Sequence, residues 1–232
     1  MSNENIVLEN FKNLIVLRDD KLKGGTKSIF IPRLIENGIE EYVYASPVEG
    51  GFQIALSKNL GNKATIFIAK RNKRHAITEL LFNNGAKVVE IPYGYLSNVT
   101  SKAKAYVNEK KNTRKLIEWG GSTNQSLITE RMNEVLKHTG YLDEVWCAVG
   151  SGTLVQGIME AVDPLTKVYG VQVGAEYKGK EYPNLTIIKY KRSFSWESKL
   201  EVPFQSNANY DKKALEIALN QGKGKVLFWN VY

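Results

Sequence analysis

Apolar residues fall along this chain in short continuous runs, separated by longer stretches in which they recur every three to four positions. The runs at 14–17, 41–46, 64–69, 86–91, 114–119, 145–149, 167–173 and 225–230 have the length and composition of strands covered on both faces. The stretches between them predict helices over 26–35, 52–60, 74–84, 98–111, 125–138, 154–162 and 210–220, with Gly38, Gly61 and Gly85 as stop signals. Strand and helix alternate almost throughout, which predicts an α/β fold with a mainly parallel twisted sheet and helices on both faces. From 174 to 209 the pattern weakens into short polar and aromatic pieces, read as loops over one edge of the sheet. No internal repeat, low-complexity tract or linker interrupts the chain.

One polar stretch stands out against this pattern. After the run 14–17, Arg18 to Leu22 leads out of a strand, Gly24-Gly25 allows a tight turn, and Thr26 is placed to cap the next helix. Lys27 then sits in the first helical turn, where a cation faces the positive end of the helix dipole. That setting lowers an amine's pKa and leaves more of it neutral, as a Schiff-base lysine requires. On this stretch alone a solvent-facing lysine beside a diglycine turn is the simpler reading. A P-loop is excluded, because Thr26 rather than glycine precedes the lysine.

Composition narrows the chemistry. With 232 residues and 43% hydrophobic content the chain can bury a full core, as one domain or two lobes. No apolar run approaches a membrane span and no charged-then-apolar leader is present, so a soluble, cytoplasmic protein is expected. The single cysteine, Cys147, excludes an internal disulfide framework and lies in an apolar run, as a core thiol would. Only two histidines occur, His75 and His138, with no second ligand type at metal spacing, so no metal site is expected. Thirty-two basic against 24 acidic residues give +8, which favours anionic partners such as phosphates, carboxylates or nucleic acid.

Two further loops carry candidate chemistry. Gly150-Ser151-Gly152-Thr153 follows the run 145–149 and opens a helix, presenting backbone N–H groups and hydroxyls to an anion. It lacks the third glycine of the dinucleotide fingerprint, and such turns also serve packing alone. Ser46-Pro47-Val48-Glu49-Gly50-Gly51 likewise joins a strand to a helix. In an open parallel sheet such loops gather at the carboxyl edge, so those around Lys27, Ser46 and Gly150 are expected at one crevice.

The order strand, Gly-Gly-Thr-Lys, helix; strand, Ser-loop-Gly, helix with Gln53-Ile54-Ala55-Leu56; apolar strand, Gly-Ser-Gly-Thr, helix resembles the pyridoxal-phosphate enzymes of the tryptophan synthase β-like fold, fold type II. Within it the likeness is to the aminocyclopropane-carboxylate deaminase and D-cysteine desulfhydrase branch, with cysteine synthases more distant. The resemblance implies pyridoxal 5′-phosphate held as a Schiff base by Lys27, which later moves a substrate proton. It implies that Gly150, Ser151, Gly152 and Thr153 hold the phosphate, and that Ser46, Gly50 and Gly51 lie near the substrate carboxylate. Glu49 falls where many relatives place an asparagine against the phenolic oxygen, a place a carboxylate tolerates only with a shared proton. Asn230 stands in for the residue at the pyridine nitrogen. The chain is shorter than most relatives, which implies a reduced small domain: one compact unit over 1–232, with lobes at about 40–118 and at 1–39 plus 119–232. A homodimer is implied as well, and the aromatic-rich segment 190–204 is a candidate substrate cover or subunit contact.

The stretches 58–74 and 102–115 each carry six basic residues, the first with no acidic one and the second with only Glu109. Solvated faces explain most such runs, but two in one chain could track phosphates. Enzymes resembling this fold occur in viruses that hypermodify DNA bases. Three readings follow: a lyase-, deaminase- or decarboxylase-type enzyme acting on a small amino-acid-like substrate; the same chemistry on an amino-acid-modified base in viral DNA, in the host cytoplasm; or a noncatalytic phosphate- or nucleotide-binding α/β protein.

Overall fold

The computed structural model describes residues 6–92, 94–118, 125–174 and 176–232. The chain divides into two units, Met1–Thr26 with Ser122–Tyr232, and Lys27–Gly121. In the first unit, β1 (Leu8–Phe11), β2 (Leu14–Arg18), α5 (Gln125–Thr139), β7 (Glu144–Val149), α6 (Thr153–Met159), β8 (Lys167–Gln172), β9 (Leu185–Lys189), α7 (Asp211–Gln221) and β10 (Val226–Asn230) build a sheet of order β1-β2-β10-β7-β8-β9. Every pairing in it is parallel except the β1–β2 hairpin.

The central strands β2, β7 and β10 of this sheet are apolar except at one end, because both faces are covered. Leu14, Val16, Trp146, Ala148, Val226 and Phe228 pack with Ala214, Leu215 and Ala218 of α7. The alternate positions point to the other face. There a Cβ on Gly170 would meet Val149 and Val155 of α6, at 2.6 and 3.5 Å. Cys147 is buried in this sheet, and burial pushes its thiol pKa up, as for an inert core cysteine.

The second unit holds α1 (Ile31–Leu34), β3 (Glu41–Ala45), α2 (Gly51–Leu60), β4 (Ala64–Ala69), α3 (Ala76–Asn83), β5 (Lys87–Ile91), α4 (Leu96–Asn108) and β6 (Arg114–Leu116), with a wholly parallel sheet β5-β4-β3-β6. Val43 and Ala45 pack on Val99 and Ala103 of α4. Between them Tyr44 points the other way, edge-on to Phe52 of α2 at 5.2 Å. Helices thus cover both faces. Residues 27–34 go with this unit, where the sequence suggested a break near 39, because Phe30 meets Phe52 at 6.3 Å and Lys115 bonds both the Leu34 carbonyl and Glu36.

Three departures from the sequence pattern have simple causes. β1 and β9 border the first sheet, half exposed, and so carry no continuous apolar run. The helix expected from Thr26 is a 3₁₀ turn over Thr26–Phe30 followed by the short α1. Pro32 has no N–H, and its ring would strike the carbonyl of Ser28 in a continuous α-helix. Thr26 is not a cap: its hydroxyl donates to Asp19 at 2.7 Å. The strand expected over 114–119 ends at Leu116, and Trp119 lies outside the described residues.

Candidate functional site

The turn before Lys27 is anchored by charges that the sequence shows only as a polar exit. Asp19, wholly buried, accepts hydrogen bonds from Arg131 of α5, from the Thr26 hydroxyl and from the Trp229 indole, the last two at 2.7 and 2.9 Å. The Thr26 amide donates to the Val231 carbonyl at 3.2 Å. Gly24 and Gly25 take φ of 106° and 78°, and a Cβ on Gly25 would lie 2.4 Å from that same carbonyl, so both conformation and close approach require glycine there. The backbone leading into Lys27 is therefore fixed by a buried ion pair rather than by a helix cap. Lys27 itself is partly buried, and desolvation lowers its ammonium below the ordinary lysine value, with no carboxylate among the described residues offsetting the effect.

In the first unit, β7 ends at Val149 and the chain turns through Gly150, Ser151 and Gly152 into α6. Gly152 is left-handed, φ 89°, and no side chain caps the helix. A Cβ there would come 2.8 Å from the Tyr177 ring, so this tyrosine lies against the turn. The Ser151 and Thr153 hydroxyls are 3.2 Å apart, with Ser151 exposed. The Gly150 amide is engaged instead by the Tyr210 hydroxyl, which in turn donates to the Ala148 carbonyl at 3.2 Å. Hydroxyls and amides for an anion are thus offered by residues 151–153.

In the second unit, Ser46 is buried at the carboxyl end of β3, its hydroxyl bonded to the Pro47 carbonyl at 2.9 Å. A Cβ on Gly50 would lie 2.4 Å from the Ser46 oxygen, whereas Gly51 faces open space. Glu49 is exposed at this turn. Gln53 fastens the loop from α2 by donating to the carbonyls of Pro47 and Val48, at 3.1 and 2.7 Å. Each of the two sequence-identified loops sits at the carboxyl edge of its own sheet, and not of one common sheet.

Asn230 ends β10, wholly buried. Its amide nitrogen donates to Asp20 and to the Gln205 carbonyl, both at 2.8 Å, and Asp20 accepts a two-point ion pair from Arg18. The Asn230 Oδ1 atom is buried without a hydrogen-bond partner among the described residues. Just beyond, the amides of Val231 and Tyr232 donate to Asp211, at 3.3 and 2.8 Å. Burial, assisted by Asp20 and Asp19, overcomes those amides and raises the Asp211 carboxyl to about 7.

The pattern could have disclosed some of these. Arg131 shares the stripe Ile128-Arg131-Met132-Val135, and Asp211 the stripe Asp211-Ala214-Leu215-Ala218, so both lie on buried helix faces by spacing. Nothing in the sequence singles out Tyr177 or Tyr210. Segment 190–204 folds onto α7: Tyr190 bonds Glu216 at 2.7 Å, and Lys213 donates to the carbonyls of Ser193 and Phe194. Within the basic stretches, Arg74 pairs with Glu79 and Glu90, Arg114 with Glu41 and Glu109, and Lys115 with Glu36. Lys70, Arg71 and Lys73 are exposed on the loop after β4. His75 caps α3, its Nδ1 accepting from the Ile77 amide at 3.2 Å. Among the described residues no helix is long and apolar enough to cross a membrane.

Two parallel α/β units with glycine turns at their carboxyl edges define a known architecture, the tryptophan synthase β-like fold of the fold type II pyridoxal-phosphate enzymes, and this chain has it. It superposes on a hydrogen sulfide-producing enzyme from Fusobacterium nucleatum with TM-score 0.73 and 16% identity, over 99% of this chain and 93% of that one. An ACC deaminase homologue gives 0.73 and 15%, over 94% and 83%. O-acetylserine sulfhydrylase isoform 3 from Entamoeba histolytica gives 0.69 and 16%, over 98% and 84%. No family model matches the sequence, and no curated protein matches it.

Proposed function

We propose that this chain is a pyridoxal-phosphate-dependent enzyme of lyase or deaminase type, acting on the amino group of a small amino-acid-like substrate, with Lys27 as the residue that attaches the cofactor. The observation that carries the reading is the lowered Lys27 amine, placed by a diglycine turn in a chain of this fold. The residues fit the group: hydroxyls at Ser151 and Thr153 suit a phosphate, and the unpartnered Asn230 Oδ1 awaits a donor. When bound, the cofactor supplies an electron sink. The chain's own work is to keep the Lys27 amine neutral enough to react and then to move a proton at the substrate α-carbon. Ser151, Gly152 and Thr153 would hold the phosphate, with Gly150 shaping the turn. Ser46 and the Gly50–Gly51 backbone are assigned to the substrate carboxylate, and Glu49 to the phenolic oxygen through a shared proton.

A small substrate is favoured over a DNA-borne one because Arg74, Arg114 and Lys115 are already paired with carboxylates, which weakens any phosphate-tracking surface. The test is the absorption spectrum of the protein with added pyridoxal phosphate, beside Lys27→Ala, followed by borohydride reduction and peptide mapping. A visible band and a reduced adduct on Lys27, both absent from the variant, are expected. No adduct in either protein would leave residues 151–153 as the anion site of a noncatalytic protein.

A further inference from the structure

Asp211 opens α7, yet its side chain does not cap that helix. The N-cap is Tyr210, no side chain caps the first turn, and the Asp211 carboxyl is wholly buried. It accepts instead from the two backbone amides that follow β10, Val231 at 3.3 Å and Tyr232 at 2.8 Å. No cation pairs with it among the described residues, and the charges of Asp19 and Asp20 act against its ionisation. A buried carboxyl with no opposite charge is a costly way to hold two amides, since a neutral acceptor suffers less desolvation. What those amides belong to gives the arrangement a use.

Residues 231 and 232 lie past the strand ladder, because β10 stays in register with β2 only as far as Asn230 beside Arg18. The Val231 carbonyl accepts the Thr26 amide at 3.2 Å. The same oxygen lies 2.4 Å from where a Gly25 Cβ would stand, and the Tyr232 Cβ lies 3.4 Å from that point. Residues 231–232 are thus the wall against which the diglycine turn is folded, and Asp211 grips that wall from behind. Thr26 is then held twice, by its hydroxyl to Asp19 and by its amide to Val231. The Asp19 bond reaches it through a rotatable side chain, whereas Val231 holds the backbone directly. The next residue is Lys27.

We propose that Asp211 is a positioning residue for Lys27: by holding residues 231–232 against the Gly25–Thr26 turn, it sets where the lysine backbone stands and so how the amine meets an incoming aldehyde. This rests on the pyridoxal-phosphate reading above. In this role Asp211 acts through two hydrogen bonds and one peptide bond, and it makes or breaks no covalent bond itself.

The test separates attachment from binding. Pyridoxamine phosphate has the same ring and phosphate but an amine in place of the aldehyde, so it reports the site without reacting with Lys27. Its dissociation constant, and the rate at which pyridoxal phosphate becomes a borohydride-stable adduct on Lys27, are measured for the wild type, Asp211→Asn and Lys213→Ala. Asparagine keeps the shape but can accept from only one of the two amides, since its nitrogen is a donor. That variant should attach about tenfold more slowly, the scale of one hydrogen bond lost, while binding pyridoxamine phosphate as the wild type does. Lys213→Ala weakens the same helix without touching the turn, and should attach at the wild-type rate. Asp211→Ser, whose hydroxyl also accepts from one amide, takes the place of asparagine if that variant does not fold. If Asp211→Asn attaches at the wild-type rate, or loses affinity for pyridoxamine phosphate in proportion to its rate, this inference falls while the proposed function stands. If the wild type forms no adduct, the proposed function fails and takes this inference with it.

Discussion

Two lysines in this chain are drawn out of water, one in each unit, and they are treated in opposite ways. Lys213 in α7 is wholly buried, and its ammonium donates to the carbonyls of Ser193 and Phe194, at 3.0 and 2.9 Å. The rings of Tyr190 and Phe194 stand 5.4 Å away on either count. Lys27 is partly buried, and burial alone acts on its amine. In both, desolvation lowers the pKa, but for Lys213 the charge of Glu216 pushes back. A buried lysine with carbonyl partners is a clamp on a loop. One whose burial goes uncompensated is held closer to the neutral, nucleophilic form.

The sharpest way to break this comparison is to ask which of the two lysines reacts with added pyridoxal phosphate. Lys27→Ala should abolish the borohydride-stable pyridoxal-phosphate adduct, while Lys213→Ala keeps it, as read by mass spectrometry of the reduced peptides. An adduct mapped to Lys213 would reverse the assignment. The proposal depends on the reactive amine being the one with no carbonyl cradle among the described residues.

A buried acid supplies the next test. The folded-state Asp211 carboxyl is raised from 3.8 to about 7, so the native state holds a proton that the unfolded chain has lost. Stability owed to this group is full below pH 3.8 and falls as pH rises through about 7. The slope is about 1.4 kcal/mol per pH unit, on the order of 4 kcal/mol in all. Asp211→Asn should lose that slope, and the variant-minus-wild-type difference in denaturant midpoint across this window isolates it. A parallel pH profile for both proteins would show that the amides of Val231 and Tyr232 already hold the carboxylate ionised.

How much of this was legible follows from where each residue sits. The central strands read cleanly because both faces of the sheet are covered, whereas β1 and β9, half exposed at the borders, leave no run to find. Lys27 was legible because two glycines and a strand frame it. Its anchor was not, because Asp19 and Arg131 are 112 positions apart and a polar pair in a strand exit looks like solvent-facing loop. Lys213 was hidden for another reason: it lies off the stripe Asp211-Ala214-Leu215-Ala218, and its partners come from an irregular segment with no pattern. Asn230 could be placed at a strand end, but that its oxygen has no partner among the described residues is a three-dimensional fact.

The clamp reading of Lys213 makes a stability prediction of its own. Lys213→Ala removes a buried side chain and leaves the carbonyls of Ser193 and Phe194 unmet, so a loss of about 2–4 kcal/mol is expected by denaturant unfolding. Lys213→Met keeps the volume and discards the buried charge, and should recover part of that loss. If alanine costs nothing, segment 190–204 is held by its aromatic contacts alone, such as Tyr190 with Trp196 at 6.1 Å.

The smallest effect is the one that separates the two lysines thermodynamically. With its folded-state pKa lowered from 10.5, Lys27 binds fewer protons in the native state than in the unfolded chain. Its penalty is therefore complete at pH below the lowered value and vanishes as pH climbs to 10.5. Lys27→Met removes that penalty, so the variant should melt a few degrees above the wild type near neutral pH, the scale of about 1 kcal/mol for a chain of this length. The gap should close as pH rises. Lys213→Met should show no such gain, because the charge it removes was already bonded to two carbonyls whose partners it also takes away. A Lys27→Met variant less stable than wild type at neutral pH would mean that its ammonium is as well accommodated as that of Lys213. The contrast on which the catalytic assignment rests would then be gone.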